Sequence, residues 1–197
     1  MPNPIDDNEK LAIAIGRAIS HWAHAEVHLA IVFGQLTGMD HTMAVTVFRM
    51  LRSVPSQKEA LLSVARVSIR CDEQDLATLS AILTDYGELA GKRNEIAHNP
   101  LGWAPGEEQK IYRMKREKVS KPGLFPYSRD LVKVADVEAL TANIKTLVGR
   151  ILKFHRGLTE KQLKAAGMNF SFPILPSQQR SSGQNPQSSG LLGDLKE

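Results

Sequence analysis

Residues 75–100, DLATLSAILTDYGELAGKRNEIAHNP, carry the pattern on which the fold turns. Leu76, Leu79, Leu83, Tyr86 and Ala90 recur in steps of three and four, which lines them up on one face of an α-helix. The next members of that stripe are Arg93 and Ala97. A guanidinium therefore falls where the pattern asks for a core residue. Buried alone it would cost several kcal/mol, so it needs a carboxylate partner, a water-filled cleft or an anionic ligand. His98 follows five residues later, and Pro100 disfavours helical geometry at Asn99, which puts His98 at or just past the helix end. On a straight helix the Arg93 and His98 side chains point about 140° apart. They converge if the last turn unwinds or if a second copy of the chain contributes. Otherwise Arg93 belongs to a structural ion pair and His98 caps the last carbonyls.

Upstream, a first helix is predicted over residues 7–36, with the stripe Leu11, Ile15, Ala18, Trp22, Ala25, Leu29, Val32 and Leu36. The alternation of four and three is a heptad seam, suited to a bundle with shallow crossing angles. Gly38 supplies a stop. Glu26, at the edge of the seam, is either the carboxylate that holds Arg93 or a solvated surface residue. Arg17, His21, His24 and His28 share one flank of this helix. His24 and His28 have the spacing of a metal-chelating pair, but no third ligand is evident, so no metal is expected. The alternatives are a polar flank that titrates near neutrality and a surface facing a second copy or phosphate.

Asp40 reads as the N-cap of a second helix reaching about Val54, with Val47, Phe48 and Leu51 inward and Pro55 ending it. Ser56-x-x-Glu59 has the form of a capping box and opens a third helix to about Arg70; Asp72 can cap the fourth. Arg49, Arg52 and Lys58 around this turn are solvated charge or an extension of a basic surface.

The pattern breaks after His98. Residues 99–133 have no sustained periodicity and hold several Pro and Gly. Within them KIYRMKREKVSK, residues 110–121, carries six Lys or Arg against one Glu, a net +5 in a chain whose total is only +4. Such an arm beside the motif suits phosphate, with Lys110, Arg113, Lys115, Arg116 and Lys118 as RNA-binding candidates, or is simply a solvated face. The alternation Ile111, Arg113 against Tyr112, Met114 also fits one strand of a small hairpin. Trp103 can stack on a base or cover the end of a core. A last helix over residues 135–159 repeats the seam in Val137, Leu140, Ile144, Leu147, Ile151, Phe154 and Leu158.

These elements predict an all-α bundle of about five helices, with an irregular basic loop or small hairpin between the last two. The helical domain spans residues 1–165. Residues 166–197 turn into Pro, Ser, Gln and Gly and are expected to form an extended to disordered tail. At 197 residues the chain can bury a substantial core, and 42% hydrophobic with 23% charged residues is ordinary globular composition. No apolar run approaches about 18 residues, the N-terminus lacks the pattern of a signal peptide, and the single Cys71 excludes an intrachain disulfide. A cytoplasmic protein without a membrane segment is the expectation.

Arg93-Asn94-x-x-x-His98, late in the fourth of five helices, resembles the motif of HEPN domains: an Arg, a polar residue next to it, and a His at the end of the same helix. The resemblance covers roughly residues 6–160. It implies an all-α fold of prokaryotic toxin–antitoxin and phage-defence systems, many of whose members are dimeric, metal-independent ribonucleases. It further implies a homodimer with the motif helices at the interface, RNA as substrate, no cofactor, and an antitoxin or other protein as a further partner. Arg93, Asn94 and His98 would then be catalytic and Glu26 supporting. The alternative is a non-catalytic HEPN-like module that binds protein or nucleic acid. Pro100 stands where one toxin subtype carries a Tyr, so control by nucleotide transfer to that tyrosine is not expected.

Overall fold

The computed structural model of the chain describes residues 4–99, 101–102, 110–116 and 127–168. Five helices occur in them: α1 (Pro4–Thr37), α2 (His41–Met50), α3 (Val54–Val67), α4 (Glu73–Ala97) and α5 (Val134–Ala165). A small antiparallel sheet lies between α4 and α5, in the order β1 (Leu101–Gly102), β2 (Tyr112–Arg116), β3 (Tyr127–Leu131). The expected all-α bundle is what forms, and the hairpin takes the place of an irregular loop. Its register pairs Arg113 with Asp130 and Tyr112 with Leu131. Trp103, Lys118 and nearly all of the tail lie outside the described residues, as do the side chains of Lys115 and Arg116 on β2.

The two heptad seams meet. Trp22, Ala25, Leu29, Val32 and Leu36 of α1 are buried with Leu140, Ile144, Leu147, Ile151, Phe154 and Leu158 of α5 in one core. The stripe of α4 joins them through Leu79, Leu83, Tyr86 and Ala90, widened by Ile82 and Leu89. Arg93 is half-buried where that stripe would continue, and Ala97, the next member, is exposed. A second, smaller core of Leu11, Ala14, Ala18 and Val137 takes in Ile111 of the sheet segment. Ile96 packs on both cores, so the last turn of α4 is fixed by apolar contact between Arg93 and His98.

The helix ends refine the sequence reading. Asp40 caps α2 by accepting from Met43 N (3.0 Å), but the helix stops at Met50 rather than near Val54. Ser53, not Ser56, is the N-cap of α3: its hydroxyl accepts from Ser56 N (3.2 Å), and Pro55 sits inside the first turn. A proline is compatible with that turn because its missing N–H has no intrahelical partner there. Asp72 and Asp75 form a reciprocal capping box that opens α4. At its far end α5 continues beyond the expected Thr159 to Ala165.

Gly38 ends α1 with φ +79°, its N–H donating to Gly34 O at 2.8 Å. A Cβ there would also stand 3.3 Å from the Arg70 guanidinium, which donates to Gln35 O at 2.6 Å. Gly38→Ala is therefore expected to destabilise the protein by about 1–2 kcal/mol, the cost of a left-handed residue with a side chain, as measured by urea unfolding.

Candidate active site

The last two turns of α4 lie beside α3, and a cleft of about 1050 Å³ opens between the two helices. Arg93, Asn94 and His98 all line it, together with Glu26 from α1. Sharing this cleft does not need an unwound turn. The helix runs unbroken to Ala97, and His98, as C-cap, donates its N–H to Asn94 O at 3.0 Å. His98 is exposed, at the cleft's edge, whereas Arg93 is half-buried, with a side chain 20% exposed.

A guanidinium tolerates this core position because an aromatic stack lies beneath it. Trp22 and Tyr86 are stacked with ring centroids 4.7 Å apart and planes 6° from parallel, and the Arg93 guanidinium carbon lies 5.0 Å from the Trp22 ring centroid. The cation–π contact contributes on the order of 0.5–2 kcal/mol. Glu26 Oε1 completes the arrangement: it accepts from Trp22 Nε1 at 2.8 Å and from Arg93 Nη2 at 3.5 Å. The first is a good hydrogen bond and the second is at the limit of one, so Glu26 is oriented mainly by the indole. Arg93 Nε is buried without a hydrogen-bond partner among the described residues. That nitrogen is shielded from solvent, so donor capacity toward the cleft rests with the terminal nitrogens, of which Nη2 alone is engaged among the described residues, at 3.5 Å.

Beneath the stack, the Tyr86 hydroxyl donates to Gln57 Oε1 at 2.6 Å, and Gln57 Nε2 donates to Leu51 O at 3.1 Å. Burial, and then the Glu26 carboxylate, push the Tyr86 phenol far above its ordinary range. Tyr86 is accordingly a fixed hydrogen-bond donor and not a proton-exchanging group. Trp22, Tyr86 and Gln57 support the site without belonging to the motif. Arg52 and Lys58 line the same cleft, and Arg49 lines a smaller neighbouring one of about 270 Å³ that shares Glu26, Arg52 and Gln57.

Arg113, a member of the basic arm, has its side chain firmly held. Its two terminal nitrogens donate to Glu95 Oε2 of α4 (2.6 Å) and Asp130 Oδ2 of β3 (2.8 Å), and the side chain is mostly buried. It therefore ties the sheet to the motif helix, next to Asn94. Lys110 is exposed at the start of the same segment.

The histidine flank of α1 lies along α5. Burial first, then Lys145 and His24, lower the pKa of His21; burial and His24 lower that of His28; burial, His28 and Arg156 lower that of His155 on α5. No group of three His, Cys, Asp or Glu residues among the described residues is placed to hold a metal ion. A depressed folded-state pKa favours the neutral imidazole, so the stability it contributes is present above pH 6.5 and is lost as pH falls through the lower folded-state values. Chemical denaturation should show a midpoint that is level above neutrality and declines below about pH 6.5. His28→Gln together with His155→Gln should flatten that decline.

Comparison of the chain with known protein families, with characterised proteins and with solved structures gives no match.

Proposed function

We propose that this chain is a metal-independent endoribonuclease of the HEPN type that works as a homodimer. The observation that carries the reading is that Arg93, Asn94 and His98 line one cleft, with Arg93 held by stacking and its donors not exhausted by Glu26. Their motif spacing is the one that resembles HEPN domains, and that resemblance also supports a role in toxin–antitoxin or phage defence, with an antitoxin as partner. Among the described residues no helix is long and apolar enough to cross a membrane.

The chemistry follows from the groups. The 2′-hydroxyl of a ribose attacks the adjacent phosphorus while a base removes its proton, the bond from phosphorus to the 5′-oxygen breaks, and an acid protonates that oxygen. An imidazole suits either proton transfer near neutral pH, so His98 takes one role. A second copy's motif, brought face to face, would supply the other. Arg93 offers planar donors to the phosphorane oxygens, where charge develops. Asn94, adjacent to it, orients the substrate or His98. Lys110, Lys115, Arg116 and Lys118 of the arm supply further positive charge for the RNA backbone.

A second reading is favoured by one contact, the Arg93–Glu26 pair at 3.5 Å. If that pair is purely structural, the chain is a HEPN-like binding module with a silent cleft.

Cleavage of labelled RNA in EDTA separates the two. His98→Ala is expected to lose about 10²–10⁴-fold in rate while remaining folded. Arg93→Lys should be severely impaired as well, because an ammonium does not reproduce the planar fork. Products should end in 2′,3′-cyclic or 3′-phosphate. Equal rates for wild type and His98→Ala would remove the ribonuclease reading and leave the binding module.

A further inference from the structure

The α3 side of the cleft has no part in the chemistry above, yet three cations stand among its Glu59, neutral and apolar residues. Arg52, Lys58 and Arg66 line it, and none of them makes an ion pair among the described residues. Lys58 lies across α4, so that a Cβ at Gly87 would stand 3.0 Å from its Nζ. Its ammonium is thereby set beside α4, six residues before Arg93 and roughly 9 Å from it along the helix axis. With Arg93 these make four cations against the three carboxylates Glu26, Glu59 and Glu88, and Glu26 is already engaged by Trp22 and Arg93.

The floor of the cleft adds an independent observation. Gly91 lies inside α4, is exposed and lines the cleft, and a Cβ built on it would meet no atom within 4 Å. Glycine weakens a helix interior relative to alanine. Nothing among the described residues requires it here, as is also true of Gly16 in α1 and of Gly149 and Gly157 in α5. At Gly91, which lines the cleft, the open space admits close approach of a backbone from outside. The walls limit what that can be. At about 1050 Å³ the cleft is the size of a small-ligand pocket, room for a short stretch of one strand and not for a duplex.

We infer that the α3 wall and the Gly91 floor form a binding subsite for the backbone of single-stranded RNA, adjoining the phosphate gripped by Arg93. Lys58 and Arg66 contact its phosphates, and Gly91 leaves room for its sugar–phosphate chain. The choice of RNA rests on the ribonuclease reading of the same cleft.

The test uses the full chain and a short fluorescent 2′-O-methyl RNA, which lacks the attacking hydroxyl and so reports binding alone. Anisotropy titrations at several salt concentrations compare wild type with Lys58→Gln/Arg66→Gln, Gly91→Ala and Gly91→Leu. A charge-matched control, Lys145→Gln/Lys153→Gln, changes two exposed positions of α5. The cleft double variant should bind about tenfold more weakly or worse and flatten the salt slope by about 1.4 units, two phosphates at ~0.7 each, with the control affected less. Gly91→Ala should raise the melting temperature by roughly 2–4 °C yet weaken binding, and Gly91→Leu should weaken it further. Unchanged affinity and slope in the double variant, or normal binding by a folded Gly91→Leu, would overturn the inference. So would Gly91 variants that keep RNA binding but lose self-association, since the floor would then face a second copy. If wild type binds this strand and the cleft variants do not, while unmodified RNA is never cleaved, the subsite stands and the ribonuclease reading falls.

Discussion

The structure around the cleft depends on how one charge is accommodated beside a hydrophobic core. Arg93 occupies the place of an apolar residue, and water cannot solvate it fully there. The Trp22–Tyr86 stack offers a flat, polarisable face in place of water, and Glu26 offers an oxygen that is already oriented by the indole N–H. These groups are set by three helices: Trp22 and Glu26 by α1, Tyr86 by α4 itself, and Gln57, which holds the Tyr86 hydroxyl, by α3. Shifting any of the three helices by one turn would leave a charge or a hydroxyl buried without a partner, at a cost of about 1–3 kcal/mol or more for each group. The bundle's register and the site's geometry are thus set by the same contacts.

Much of the fold was legible because helices packed through seams announce themselves by period. The stripes of α1 and α5 predicted their buried faces almost residue by residue, Ile15 being only half-buried at the end of the smaller core. The ends were less legible. Ser53 and Ser56 are both acceptable caps, and the proline between them reads in sequence as the stop of one helix but sits in the first turn of the next. A proline is compatible with either role, and local pattern does not choose between them.

The site was half legible. Arg93 stood out because a charge interrupts an apolar stripe, and Glu26 because it borders the seam that carries Trp22. Gln57 and Arg66 did not stand out, and Arg52 and Lys58 were open between solvated charge and a basic surface, since a polar residue on a short helix looks the same whether it faces solvent or a cleft. The signal that could have found them is the pair Gly87 and Gly91, four residues apart inside a strong helix. In sequence Arg113 is one more RNA-binding candidate in a charge run, and only tertiary structure reveals that Glu95 and Asp130 engage both ends of its guanidinium. Those bonds make the hairpin an extension of α4, so the orientation of β2 is set from the motif helix.

The place of Trp22 has a spectroscopic consequence. The chain holds two tryptophans, and this one is buried with its indole nitrogen on a carboxylate and a guanidinium over its face. Indole emission responds to charge near the ring, so any anion that draws Arg93 away from Glu26 alters the field across the chromophore. The protein therefore contains its own optical probe of the cleft, one that needs no label and reports on the guanidinium itself.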